Sequence, residues 1–169
     1  MGSQTFPKLP TISFTAENLK PGSSSWIARG NDVRQALEDY GCFVAVYDKV
    51  SLDLDNNVFC ALQELFDLPT ETKEKNTSEL PFFGYIGNGP LTPLYESMGI
   101  YNAATPEEIQ SFTNLMWSAG NDLFCEPVYS YSMLVSELEQ VVKRMVFESY
   151  GVGKYYTLTL DQPLTFLDS

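Results

Sequence analysis

Residues 33–47 read VRQALEDYGCFVAVY, and this stretch decides the class of the fold. Val33, Ala36, Leu37 and Tyr40 recur at helical spacing and share one face of a helix. Gly41 stops that helix, because glycine enters the left-handed region without steric cost. The following residues 42–47 form a continuous apolar, β-rich run, which predicts a strand buried on both faces.

Upstream, residues 9–14 (LPTISF) alternate like a second strand, and residues 20–25 (KPGSSS) form a loop. Downstream, Ser51 is a candidate N-cap for a helix whose face carries Val58, Phe59, Leu62, Leu65 and Phe66. Pro69 ends it, and Thr70 caps a short charged helix through Lys75. Glu71, Lys73, Glu74 and Lys75 make its solvated face. Residues 81–93, rich in Gly, Pro and aromatics, predict an ordered loop or irregular strand. Thr105-Pro106-Glu107-Glu108 is a helix start with an N-cap, a first-turn Pro and a capping-box acid.

The longest predicted helix runs from Asp122 to Tyr150 and stops at Gly151, a length of roughly 40 Å. Val128, Tyr131, Leu134, Val135, Leu138, Val141, Val142, Met145 and Val146 fall within an arc of about 140° on it. Met133 and Phe147 form a second, smaller face. Residues 153–160 predict a strand with nowhere to pair, where a β-domain would begin. The order of strand, helix, strand, several helices and a lone strand is that of a helix-rich α+β chain.

Composition narrows the chemistry. None of the 169 residues is histidine. That excludes a Ser-His-Asp triad, a Cys-His pair and a 2-His-1-carboxylate iron site built from these residues. The net charge of −12 opposes phosphate backbones and anionic lipid surfaces, so neither nucleic acid nor membrane is an expected partner. Cys42, Cys60 and Cys125 are odd in number and lack metal spacing, so they read as buried or inert thiols of a reducing compartment. The N-terminus carries no signal-peptide pattern and no apolar run is long enough to span a membrane, so the expected location is cytoplasmic.

Local constellations add little. Asp53-Leu54-Asp55-Asn56-Asn57 with Glu64 nears a calcium-loop spacing, but Val58 replaces the required Gly, and helix-start acids suit the macrodipole. Gly84-Tyr85-Ile86-Gly87-Asn88-Gly89 is no phosphate cradle; it reads either as a turn needing positive φ or as a loop approaching a ligand. Trp117 reads as a packing anchor rather than a substrate platform. No catalytic, cofactor-binding or metal-binding set is complete.

In sequence order these pieces resemble the N-terminal region of the plant Fe(II)/2-oxoglutarate-dependent dioxygenases. Residues 9–14 resemble the family's LPxIDF strand, with Ser13 at the usual Asp. VRQALEDYGCFVA resembles its VxxALExxGFFxV unit, with Cys42 at the first aromatic position. Leu65 through Lys73 is similar to its FFxLPxExK segment, and Phe83-Gly84-Tyr85 to its xGY loop. Met116 through Asn121 resembles its xWPxGN stretch, from which Ser118 and Ala119 depart. The helix ending Glu148-Ser149-Tyr150-Gly151 resembles the one that supports the family's catalytic barrel. Residues 96–101 and the MWxxGN form resemble a subgroup that includes glucosinolate-modifying enzymes of secondary metabolism.

The resemblance implies an N-terminal cap over residues 8–152, after a tail over 1–7. It further implies one long support helix, with most of the double-stranded β-helix (jelly roll) absent. Residues 153–169 are expected to be a divergent tail after one residual strand, from a truncated gene, splice form or gene model. The activity implied is oxidation of a small organic metabolite coupled to conversion of 2-oxoglutarate to succinate and CO2. Fe(II) and 2-oxoglutarate, with ascorbate, are implied for the full-length enzyme and not for this chain. The family's His-x-Asp…His and Arg-x-Ser positions have no counterpart here. Phe83, Tyr85 and Tyr101 are the candidate substrate-pocket residues implied by the resemblance. The chain alone is expected to be inactive. The alternative expectation is an interaction module that associates, with itself or a partner, through the apolar face of its long helix.

Overall fold

The computed structural model describes residues 8–87, 89–90 and 92–156. In chain order the elements are β1 (Thr11–Phe14), α1 (Ser24–Tyr40), β2 (Val44–Tyr47), α2 (Leu52–Phe66), α3 (Thr70–Lys73), α4 (Pro106–Met116) and α5 (Asp122–Ser149). A single 3-10 turn (Gly153–Tyr155) follows. The helix-rich α+β class is as expected, and the strands form one two-stranded sheet. Two compact units share the chain, one from residues up to Lys49 with those from Glu137 onward, the other Val50–Ser136.

In the first unit Ser23 caps α1 by accepting the Trp26 N–H (3.1 Å), and Gly41 ends it at φ 72°. The crossover through α1 lets β1 and β2 pair in parallel, from Thr11↔Val44 to Phe14↔Tyr47. Ile12, Phe14, Trp26, Val33, Ala36, Tyr47 and Met145 are buried. Trp26 Nε1 donates to Glu148 (2.6 Å), and Arg34 Nη1 to the Ser149 carbonyl (3.0 Å), which fastens α1 to the end of α5.

The expectation that residues 42–47 are buried on both faces is wrong. Val44 and Val46 are 46% and 50% exposed, and of β2 only Tyr47 is buried. The apolar run would need two covering layers, and among the described residues the pair has only one covered face. The strand expected over 153–160 also fails where it can be read. Residues 153–155 form the 3-10 turn, and 157–160 lie outside the described residues.

In the second unit the core gathers Ala61, Leu65, Ile109, Phe112, Met116, Phe124 and Val128. Ser51 caps α2 as expected, accepting the Leu54 N–H (3.1 Å). The buried face of α2 is Val58, Ala61 and Leu65, whereas Phe59 is 67% exposed. Phe59 sits about 100° around the helix from Val58, and the core lies on the other side. Helix α2 stops at Phe66 with Asp67 at its C-cap position, two residues short of Pro69, which occupies the N-cap position of α3 without a side-chain capping bond. Thr70 is the first residue of α3, which ends at Lys73 rather than Lys75.

Helix α4 begins at Pro106, but the Thr105 hydroxyl donates back to the Asn102 carbonyl (2.9 Å) and makes no capping bond. Helix α5 begins and ends within a residue of expectation, with Gly151 at φ 71° just beyond it. Of its apolar stripe only Val128 and Met145 are buried; Val135 is 45% exposed. Cys42 and Cys60 are exposed and Cys125 half-buried, all three as free thiols, so of the expectation of buried or inert thiols the buried alternative fails. Among the described residues no helix is long and apolar enough to cross a membrane.

Candidate functional site

The site grows from α3 and the loop that follows it. Lys73, expected on a solvated face, is only 4% exposed. Its Nζ donates to the Phe66 carbonyl (2.8 Å) and to Glu96 Oε1 (2.6 Å), and lies 5.5 Å from the Tyr85 ring centroid. The same Glu96 oxygen accepts the Tyr85 hydroxyl. A four-residue helix leaves Lys73 one turn from Pro69, so its long stem reaches inward beneath the loop. Glu74 and Lys75 stay exposed, as expected.

These contacts set the electrostatics. The hydrogen bond from Lys73, joined by that from Tyr85, holds the Glu96 carboxyl below its ordinary range. The Tyr85 hydroxyl is pushed up to about 12, chiefly by its bond to Glu96, with burial and the carboxylate charge adding. Tyr85 is therefore a donor across the neutral range and no candidate base.

Asn76 ties the loop into a closed layer. Its side-chain amide donates to the carbonyls of Phe83 (3.0 Å) and Gly99 (3.2 Å), and its own carbonyl accepts the Tyr85 N–H (2.7 Å). Ile86 and Ser97 exchange both backbone bonds at 2.8 Å, and the Gly99 N–H donates to the Phe83 carbonyl (3.0 Å). A Cβ on Gly99 would stand 3.1 Å from Phe83 Cα, and one on Gly84 3.3 Å from the Asn76 carbonyl oxygen. Glycine is needed at both places for close approach rather than for positive φ. Among the described residues of this loop the left-handed one is Phe82, at φ 69° and 80% exposed.

Of the three candidate pocket residues, the structure brings two together. The Phe83 and Tyr101 rings meet edge to face with centroids 6.0 Å apart. Tyr101 lines a shallow depression of about 150 Å³ with Asn76, Ile100, Glu108, Ser111 and Leu115. Tyr85 turns the other way, to Glu96 and Lys73. Lys73, Asn76 and Glu96 escaped the sequence reading because a charged run and a loop amide carry no signal of where they fold. The Trp117 ring meets that of Phe124 at a tilt of 43° with centroids 4.9 Å apart, on the rim of the second unit's core.

The family of the non-haem dioxygenase in morphine synthesis N-terminal domain matches residues 9–117. An Arabidopsis thaliana protein described as probable 2-oxoglutarate-dependent dioxygenase AOP1.2 is 44% identical over 149 residues, which cover 88% of this chain and 45% of that protein. Arabidopsis 2-oxoglutarate-dependent dioxygenase AOP3 is 44% identical over 152 residues, 90% of this chain and 36% of the relative. The solved Arabidopsis dioxygenase for auxin oxidation 1, in complex with 2-oxoglutarate, superposes with a TM-score of 0.72 at 28% identity, covering 86% of this chain and 51% of that one. The chain thus spans about half or less of the length of the relatives it matches.

The iron that such relatives imply does not fit the residues present. The sequence has no histidine, and among the described residues no three Cys, Asp or Glu side chains gather as a metal site.

Proposed function

The chain belongs to the non-haem dioxygenase N-terminal family, and on that premise we propose that it is the N-terminal half of a 2-oxoglutarate-dependent dioxygenase acting on a small organic metabolite, and that it does not turn over alone. One conjunction carries the reading: residues 9–117 match the family's N-terminal domain, yet the 169 residues contain no imidazole with which to bind iron. Fe(II) and 2-oxoglutarate, with ascorbate, would be held by the part of the enzyme these residues do not include. In the complete enzyme Phe83 and Tyr101 form part of the substrate wall, and Lys73, Glu96 and Asn76 position the loop that presents them. The three free thiols suit a reducing compartment such as the cytoplasm.

Incubating the purified chain with Fe(II), 2-oxoglutarate, ascorbate and a panel of small acids, and measuring succinate, tests this. No succinate above the protein-free background is expected. Sustained, enzyme-dependent succinate formation would overturn it.

The exposure of Met133 and Val135 on α5 favours a second reading, an interaction module that works through that helix. Size exclusion and ANS fluorescence separate the two. A monomer that leaves ANS dark argues against an adhesive helix face.

A further inference from the structure

A groove of about 320 Å³ runs between β1 and α1, with Thr11 and Ile12 on one side and Arg29, Asp32, Gln35 and Asp39 on the other. No residue of β2 lines it. The bonds from Val44 N–H to the Pro10 carbonyl (2.8 Å) and from Asp48 N–H to the Phe14 carbonyl (3.1 Å) fix which side of β1 faces β2. In a parallel ladder the alternate residues, Thr11 and Ser13, turn their backbone groups to the opposite edge. The Ser13 carbonyl accepts the Asn18 amide (2.9 Å). Among the described residues the Thr11 N–H and carbonyl and the Ser13 N–H have no partner.

The helical wall is acidic. Arg29 already pairs with Asp32 (3.0 Å), while Asp39 holds only the neutral Gln35 amide (2.8 Å). The wall therefore carries one unneutralised carboxylate beside an open strand edge, on a chain of net charge −12. An unpaired edge beside a helix is the geometry of β-strand addition, in which main-chain bonds bind and side chains select.

We propose that this groove binds an extended basic peptide segment, whose backbone adds a strand to β1 at Thr11 and Ser13 and whose Lys or Arg side chain pairs with Asp39. The proposal is independent of any oxygenase activity.

The test uses the full 169-residue chain and a fluorescein-labelled hexapeptide of alternating valine and lysine, read by anisotropy at low salt. Saturable binding is expected. N-methylating one alternate set of peptide amides should weaken it about tenfold or more, and methylating the other set should not. Thr11→Pro, which removes an outward N–H that an edge strand can spare, should also cost about tenfold, and Asp39→Lys several-fold. Equal binding by both methylated peptides would reduce the interaction to bulk charge attraction and overturn the proposal. So would an absence of saturation up to about 1 mM, or a dimer in sedimentation velocity that Thr11→Pro abolishes, since the edge would then belong to a second copy. If Thr11→Pro fails to fold, the two methylated peptides decide on the unaltered chain.

Discussion

At the scale of single residues, Lys73 has the most consequence. A cation that is 4% exposed must be paired, and its two bonds join the end of α2 to the 76–101 loop through Glu96. Lys73→Met keeps the apolar stem but leaves the Phe66 carbonyl and the Glu96 carboxylate short of a donor. It should destabilise the chain by ~1–3 kcal/mol in urea unfolding. Because the folded Glu96 carboxyl titrates below its unfolded value, its contribution is present above the unfolded pKa and is lost as pH falls through the folded one. The acid-unfolding midpoint of Glu96→Gln should therefore show a weaker pH dependence than that of the unaltered chain. Tyr85 has the opposite sign: its raised pKa stabilises the fold below the ordinary phenol value and fades as pH rises toward about 12. Tyr47 and Tyr150 are also raised, so ultraviolet titration should show several tyrosines ionising late, and Glu96→Gln should return one of them, Tyr85, toward the ordinary range. An unchanged late phase in that variant would dissociate Tyr85 from Glu96.

At the scale of elements, the caps show what a sequence pattern can and cannot specify. Ser51 and Thr105 look equivalent on paper, each a hydroxyl before a helical run. Ser51 accepts the Leu54 N–H, whereas the Thr105 hydroxyl points back to Asn102. Ser51→Ala should cost ~1 kcal/mol in thermal or urea unfolding, and Thr105→Ala clearly less. Similar costs would mean that Thr105 caps α4 in solution. The long helix α5 was legible to within a residue, because its period and the Gly after it are local properties. The buried face of α2 was not. Phe59 and Ala61 differ in hydrophobicity in the direction opposite to their burial, and only the position of α4 and α5 decides which side is covered. Close approach governs the loop in the same way: Gly99→Ala would press a methyl against the Phe83 backbone and should cost ~1–3 kcal/mol.

At the scale of the whole molecule, twenty-two acids stand against ten cations, so self-repulsion opposes compaction. Adding about 0.2 M NaCl shortens the Debye length below 10 Å and should raise Tm by a few degrees. A fall in Tm would instead give the greater weight to the surface ion pairs. Helix periods, glycine stops and the absence of imidazole all lie within a few residues of one another or in a simple count, so the sequence by itself determined the helix-rich class and the lack of any histidine ligand, and the order of its motifs carried the resemblance to the family. Burial depends on what arrives from elsewhere in the chain. Only the tertiary structure decided that Lys73 is interior, that Tyr85 turns from Tyr101 toward Glu96, and that β2 shows its valines to solvent. Each outcome is set by which distant surface covers a residue, and no local spacing encodes that.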